Sequence, residues 1–371
     1  MSAIDASPFN AASAYVAINR FRLNEERPQL LRTHDGGRTW TEIDRGIEAA
    51  PTNVVRADPV RRGLLFAGTE RGVWASWDDG ASWWSLRLNL PATSVRDLVV
   101  HRDDLVIATH GRGFWILDDI VPLRAIEALN GPRAVLLQPR PAYRVLENTN
   151  TDTPLPPDEP YFTNAPDGAY LDYALPQDAK RVVLTIADAR GTVLRSIASD
   201  DPVPAFDLET LDVPSWWFAP AARLPANAGA HRFVWNLRLA APDAFSHGPT
   251  IAAVPHRTPL GPRGIRVPPG RYRLTLDVDG ARSERNVEVL ADPRKRVAPA
   301  DFAAQFAFER EVATAAETAY RRGLRSVNAG LLRLLATVDA ADARPSSSQR
   351  AEFARLRTSR ERGQAPPDET P

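Results

Sequence analysis

Cysteine is absent from the 371 residues, which excludes disulfides, a thiolate nucleophile and cysteine-ligated zinc. That absence does not argue for the cytoplasm, and the redox compartment stays open. Lysine is nearly absent too: of 46 basic residues only Lys180 and Lys295 are lysine. An arginine excess of this kind reads as the coding bias of a GC-rich genome rather than as phosphate recognition. With 46 acidic residues the formal net charge is zero, so no single-sign field steers the protein toward nucleic acid or an anionic membrane. Neither is an expected partner. No run approaches the roughly 18 apolar residues of a membrane span, and the first ~30 residues lack the basic segment and apolar core of a signal peptide.

What is present suits a modular protein, since 43% hydrophobic and 25% charged residues over this length allow two or three domains with sizeable cores. The most informative feature is a repeated phrase. Thr33-His34-Asp35-Gly36-Gly37-Arg38-Thr39-Trp40 and Ser76-Trp77-Asp78-Asp79-Gly80-Ala81-Ser82-Trp83 lie 43 residues apart. Both read Ser/Thr-x-Asp-x-Gly-x-Ser/Thr-Trp, and each fixed position has a mechanical reason. The short hydroxyl and carboxylate fold back onto backbone N–H groups, the glycine takes a positive φ, and the tryptophan covers neighbouring strands. Thr33, Asp35, Gly37, Thr39 and Trp40, with Ser76, Asp78, Gly80, Ser82 and Trp83, are therefore structural positions that cap hairpins. Self-similarity at about 40 to 50 residues is the signature of stacked units such as propeller blades.

Strands align around the phrases. Tyr15 to Asn19 precedes Leu30 to Thr33, Leu64 to Gly68 precedes Gly72 to Ser76, and Leu105 to Thr109 precedes Gly113 to Leu117. The third pair lacks the phrase but parallels the second, Thr69-Glu70-Arg71-Gly72 standing against Thr109-His110-Gly111-Arg112-Gly113. Residues 1–123 thus hold two to three blades, whereas a closed propeller needs roughly four to eight. The expectation is a partial, unclosed propeller with sequence-stretch Met1 to Tyr15 carrying no capping element, completed by missing N-terminal blades or by another chain.

The phrase resembles the Asp box of bacterial-neuraminidase (BNR) repeats, found in sialidase, sortilin and xyloglucanase propellers. Ser7 to Ile43, Ala67 to Pro91 and Ala108 to Ile120 are similar to the closing blades of large bacterial BNR-repeat proteins often labelled glycosyl hydrolases. That resemblance implies a β-propeller scaffold, a carbohydrate or peptide ligand, and a location in the cell envelope or outside the cell.

Beyond the blades, residues 124–165 are proline-rich and polar and read as an extended linker. A second β pattern follows over 166–293: Ala169 to Leu175, Arg181 to Ala187, Thr192 to Ile197, His231 to Leu237, Gly270 to Val278 and Glu284 to Leu290 alternate and are separated by turn signals. Six or seven such strands make a sandwich. Val182 to Ile197, Ala228 to Arg238 and Val267 to Gly280 resemble an Ig-like domain of the flagellar hook-capping type, an accessory module, interrupted by proline-bearing insertions near 198–228 and 240–266. The fold class is therefore mainly β with a C-terminal helix. From Pro299, with Asp301 as N-cap, Phe302, Phe306, Val312, Ala316, Tyr320, Leu324, Val327, Leu331, Leu334 and Val338 make a helical stripe over 299–340 that Gly323 divides. The stripe packs on the sandwich or blades, or mediates dimerisation. Residues 341–371 read as a partly disordered tail.

No catalytic residue is assigned. Adjacent acids occur at Asp78-Asp79, Asp103-Asp104 and Asp118-Asp119, but neighbours on a strand point to opposite faces and a glycosidase needs two carboxylates across one bond. His34, His101, His110, His231, His247 and His256 show no metal-ligand spacing and no serine motif, so no metal and no cofactor is expected. His110 and Arg112 sit on a loop between strands, and two readings stand: ligand contacts, or a turn set by Gly111 and Gly113. Trp216 and Trp217 likewise read either as a platform for a sugar ring or as an anchor for an insertion. The function expected is a non-catalytic scaffold or binding surface. The alternative is part of a sialidase- or xyloglucanase-like hydrolase whose carboxylates lie on blades upstream.

Overall fold

The computed structural model describes residues 2–146, 165–202, 214, 217–219, 222–248, 258 and 260–362. The chain is mainly β and divides into two compact units, Met1–Ile126 and Glu127–Pro371.

The first unit is a series of antiparallel meanders. Strands β1 (Ala3–Ala6), β2 (Ala14–Ala17), β3 (Leu30–Thr33) and β4 (Thr41–Glu42) form one sheet; β5 (Thr52–Ala57), β6 (Leu65–Thr69), β7 (Gly72–Ser76) and β8 (Trp84–Ser85) form the next; β9 (Val95–His101), β10 (Asp104–Thr109) and β11 (Phe114–Leu117) form the third. A short helix, α1 (Val121–Arg124), follows. The first strands are neighbours in order, β5 lying beside both β1 and β9. The middle sheet is covered on both faces. Leu65, Ala67 and Trp74 meet Tyr15, Ala17 and Leu30 of the first sheet, while Phe66, Val73 and Ala75 meet Leu98, Leu105 and Ile107 of the third. Side chains alternate along a strand, so burial on both faces demands the unbroken apolar runs seen in β6 and β7. Strand β1 was not anticipated: Ala3 to Ala6 pair with Ala17 to Ala14, so the sequence before Tyr15 contributes a strand of its own.

The second unit has two sheets over one core. After α2 (Ile126–Leu129), strands β12 (Val135–Leu136), β13 (Ala142–Arg144), β14 (Ala169–Leu175), β15 (Val182–Ala187), β16 (Val193–Ala198), β17 (Gly229–Trp235), β18 (Gly270–Val278) and β19 (Ala281–Ala291) order as β12-β14-β17 and β13-β19-β18-β15-β16. Leu171, Tyr173, Phe233 and Trp235 of the smaller sheet share a core with Leu184, Ile186, Leu274 and Val287 of the larger. The stretch read as a linker is not one throughout. Val135 and Leu136 pair with β14, and Ala142 to Arg144 run parallel to Val289 to Ala291, short edge strands whose proline surroundings hid them.

The helical region is a hairpin with a third member: α3 (Pro299–Arg321), α4 (Arg325–Asp339) and α5 (Ser347–Arg362). Gly323, at φ +73°, lets α3 stop, its N–H reaching Tyr320 O at 2.9 Å. Asp301 is not the N-cap. Ala298 holds that position with Pro299 after it, and Asp301 lies in the first turn, paired with Arg344 at 2.9 Å. The apolar stripe is buried chiefly within the helices themselves, where Phe308, Val312 and Ala316 meet Leu331, Leu335 and Leu356. Helix α5 takes part of the segment read as a tail.

Candidate functional site

Both repeated phrases fold into the same hydrogen-bonded turn at the exit of the third strand of their sheet. In the first, Thr33 Oγ1 donates to Asp35 Oδ1 (2.9 Å) and accepts the Gly37 N–H (3.0 Å), while Asp35 accepts the Thr39 N–H (2.9 Å) and hydroxyl (2.7 Å). In the second, Ser76 Oγ donates to Asp78 Oδ1 (2.8 Å) and accepts the Gly80 N–H (2.9 Å), while Asp78 accepts the Ser82 N–H (2.9 Å) and the Ser82 hydroxyl. The residue after each aspartate also donates its N–H to the first hairpin of its own sheet, Gly36 to Ala12 O and Asp79 to Gly63 O, both at 2.9 Å. The Thr39 amide and hydroxyl hold the Asp35 carboxyl down at about 2. Burial pushes the Asp78 carboxyl upward, but the Ser82 and Ser76 groups outweigh it and keep it below the ordinary range.

The tryptophans differ. Trp83 is 3% exposed, and its indole N–H donates to Ile43 O at 2.5 Å. The approach is so close that a Cβ on Gly46 would lie 2.7 Å from Trp83 O. Trp40 is 40% exposed and donates only within its own turn, to Gly37 O at 3.2 Å.

The same end of the sheets carries a cluster that sequence reading missed. Asp79 accepts from Tyr15 Oη (2.5 Å), Arg32 Nη1 (2.8 Å) and His34 Nε2 (3.0 Å), and His34 Nδ1 faces Ser13 Oγ at 2.8 Å. An aspartate salt-bridged to Arg32 accepts only, so His34 donates from Nε2, and its Nδ1 shares a hydrogen bond with Ser13 Oγ. This is the order of a nucleophile relay, but Ser13 is buried and also takes the Asn10 Nδ2–H at 3.0 Å. It acts as a latch between the first two sheets. A signal did exist: Asp79 takes a positive φ of 62° where the sister phrase has Gly36, a conformation uncommon for a non-glycine residue and held here by the carboxylate's partners.

The opposite end of the sheets presents a polar row. Glu70, on the β6–β7 turn, accepts from Asn53 Nδ2 (3.1 Å), Asn19 Nδ2 (3.4 Å) and Arg96 Nη1 (3.0 Å). Asn53 Oδ1 accepts from Asn19 Nδ2 at 2.6 Å, and Asn53 Nδ2 donates to Val95 O at 3.0 Å. The row therefore joins all three sheets and fixes its own side chains. His110 and Arg112 lie at its end, both exposed, on a turn closed by Thr109 Oγ1 donating to Gly113 O at 2.6 Å and accepting the Arg112 N–H at 3.2 Å. From the β6–β7 turn opens a groove of about 730 Å³, bordered by Glu48, Arg71, Trp74, Ser85 and Arg87; none of the row's side chains lines it. The groove thus sets the side chains of Arg71, Arg87 and Glu48 around a wall that includes Trp74.

Hydrolysis would need two opposed carboxylates; Glu70 is salt-bridged to Arg96, and Glu48 is the carboxylate among the groove's lining residues. The adjacent acids are engaged elsewhere: Asp103 holds Arg124 (2.5 Å), Asp104 accepts the Asp119 N–H (2.9 Å), and Asp119 accepts the Val121 N–H (3.1 Å). Trp217 is half-buried with its backbone tied to Pro214 O and Thr258 N; Trp216 lies outside the described residues. Among the described residues no three His, Asp or Glu gather as metal ligands, and no helix is long and apolar enough to cross a membrane.

No protein-family profile matches the chain, and no curated protein does. Solved structures do. The GH74 xyloglucanase from Xanthomonas campestris aligns at 17% identity over 32% of this chain and 22% of its own, with a TM-score of 0.27. A GH74 enzyme from Niastella koreensis aligns at 18% identity over 52% of this chain and 29% of its own, TM-score 0.27. YCF48 bound to D1 peptide aligns at 17% identity over 31% and 35%, TM-score 0.24. This chain spans between 22% and 35% of the length of these structures.

Proposed function

We propose that the first unit is a run of Asp-box propeller blades that binds a carbohydrate or peptide on the end opposite its boxes and does not hydrolyse it. The observation that carries this reading is the open groove bordered by Glu48, Arg71, Trp74 and Arg87, which leaves the β6–β7 turn whose Glu70 is held by Asn19, Asn53 and Arg96. Charged side chains around a groove with an indole in its wall can meet the polar groups of either ligand class. The boxes serve the scaffold. Further blades, from the same protein or another chain, complete the array by covering faces that stay open in this unit: Phe114 is 81% exposed, and Ile116 and Val99 share its face of the third sheet. The second unit is an Ig-like accessory module, and the protein works in the cell envelope or outside the cell.

Calorimetric titration with xyloglucan oligosaccharides, cello-oligosaccharides and a peptide library, alongside a reducing-sugar assay, tests the proposal. Binding is expected to weaken at least tenfold in Glu70→Ala and Arg71→Ala, with no sugar released. Turnover that Asp118→Asn, Asp119→Asn or Glu70→Gln abolishes would overturn it in favour of a hydrolase, and so would binding indifferent to Glu70 and Arg71.

A further inference from the structure

Two guanidiniums stand at the groove of the first unit without a carboxylate of their own. Arg71 and Arg87 both line it and both are exposed, and among the described residues neither side chain has a hydrogen bond or an ion pair. The other charged residue of the lining is Glu48, exposed and likewise unpaired. Two cations against one anion leave the lining net positive. Glu70, next to Arg71, does not alter that balance, because Arg96 neutralises it at 3.0 Å.

The sheet brings the two cations together. Ser85 pairs with Trp74 across β7 and β8, and two residues further on Arg87 lies against Gly72, where a Cβ would come within 3.6 Å of the Arg87 Cγ and Cδ. The aliphatic stem of Arg87 is thus seated on the strand while the residue stays exposed, as long cations do that keep their heads in water. Arg71 is the turn residue just before Gly72. One anionic guest can therefore meet both, and a guanidinium fork matches a carboxylate better than any neutral group.

The apolar part of the lining separates a peptide from a sugar. A pyranose ring stacks on a broad aromatic face, but Trp74 is 9% exposed, its ring taken up in the core between the first two sheets. What the groove exposes is aliphatic: Leu88 is 69% exposed and lines it at a φ of 47°. That conformation is uncommon for a residue other than glycine, and strained residues gather at ligand clamps. A leucine held out in water gains nothing there from its own burial.

Taking the groove as the ligand site proposed above, we infer that its guest is an acidic peptide, one carboxylate held between Arg71 and Arg87 and a neighbouring aliphatic side chain lying on Leu88. The probe is a library of short peptides mixing glutamate and leucine, applied to the full chain beside a matched library with glutamine in place of glutamate. The tightest binders then go to calorimetry alongside hexagalacturonate and cellohexaose. Glutamate peptides are expected to bind at least tenfold more tightly than their glutamine counterparts. Arg71→Glu and Arg87→Glu are each expected to remove that preference, and the double variant to prefer a lysine-for-glutamate peptide, a reversal that a misfolded chain would not show. Arg38→Glu, an exposed position in the first repeated turn at the opposite end, is expected to leave binding unchanged. Glutamine peptides binding as tightly as glutamate ones, a preference untouched by both reversals, or cellohexaose binding where no peptide does would overturn the inference and leave the groove a site for neutral ligands. Hexagalacturonate binding more tightly than the peptides would overturn it in favour of an acidic sugar at the same groove. Binding by none of these peptides and sugars would remove the ligand site itself along with it.

Discussion

The two repeated turns and the arginine cluster beneath the helices satisfy their polar groups by opposite means. In the repeated turns a hydroxyl and a carboxylate bond to partners two to four residues away, so the turn is complete once its own strand reverses. In the cluster Arg144 reaches Asp342 across 198 positions, and Arg238 and Arg266 reach Asp339 across 101 and 73. Those pairs exist only after sheet, coil and helices have assembled. Local networks therefore define a repeat, whereas distant ones make the second unit's elements depend on each other.

The comparison is tested hardest where each region buries most. Arg144→Met removes a guanidinium that is 1% exposed and leaves Asp342 only Arg266 at 3.4 Å and Lys295 at 3.7 Å. The expected cost is about 3–5 kcal/mol, the range for breaking a buried ion pair. Trp83→Ala is expected to cost a similar ~3–5 kcal/mol through lost packing. Urea denaturation measures both, and a cost below about 1 kcal/mol for Arg144→Met would mean that the cluster is not cooperative.

Titration should separate the regions by sign. Burial on α3 moves Glu309 from an ordinary 4.5 to about 7, so its protonated form favours folding: the contribution is full below pH 4.5 and is lost as pH rises through 7. At roughly 1.4 kcal/mol per pK unit, the wild type sheds about 3 kcal/mol over that window, and Glu309→Gln does not. Asp35 moves the other way, from 3.8 to about 2, so its contribution is present above pH 3.8 and is lost as pH falls through 2. Thermal melts from pH 2 to pH 8 on the wild type and Glu309→Gln check both signs.

The same contrast explains what could be read from the sequence. The Ser/Thr-x-Asp-x-Gly-x-Ser/Thr-Trp phrase carries its side-chain hydrogen bonds within eight residues, and strands such as β15 and β18 fall where their alternation and turn residues place them. Strands β12 and β13 are two and three residues long, too short for any period to show, and exist because β14 and β19 offer edges. The Asp79 latch joins residues 45 and 64 positions apart, and the groove is lined from the β4–β5 connection, β7 and the segment after β8. No spacing in the sequence encodes those meetings.

Smaller effects refine the local side. Asp78→Ala strips the second turn of its carboxylate and should cost about 1 kcal/mol, as for the loss of a capping side chain. The equilibrium stability of this variant checks it, and a cost near that of Trp83→Ala would make the polar turn, rather than the indole, the main support.

Trp40→Ala is expected to have the least effect, below about 1 kcal/mol, although Trp40 occupies the position of Trp83 in an equivalent turn. Sequence alone assigns both the same worth; their surroundings do not. Trp83 is sealed by Ile43, Arg45 and Gly46, the segment that follows the preceding sheet, whereas nothing of that kind lies over Trp40 among the described residues, and its indole bonds only to its own turn. An exposed side chain returns little on removal. Urea denaturation of Trp40→Ala at several protein concentrations decides the matter. A cost approaching that of Trp83→Ala, growing with concentration, would mean that a second copy covers the open face in solution and that the two tryptophans do the same work after all.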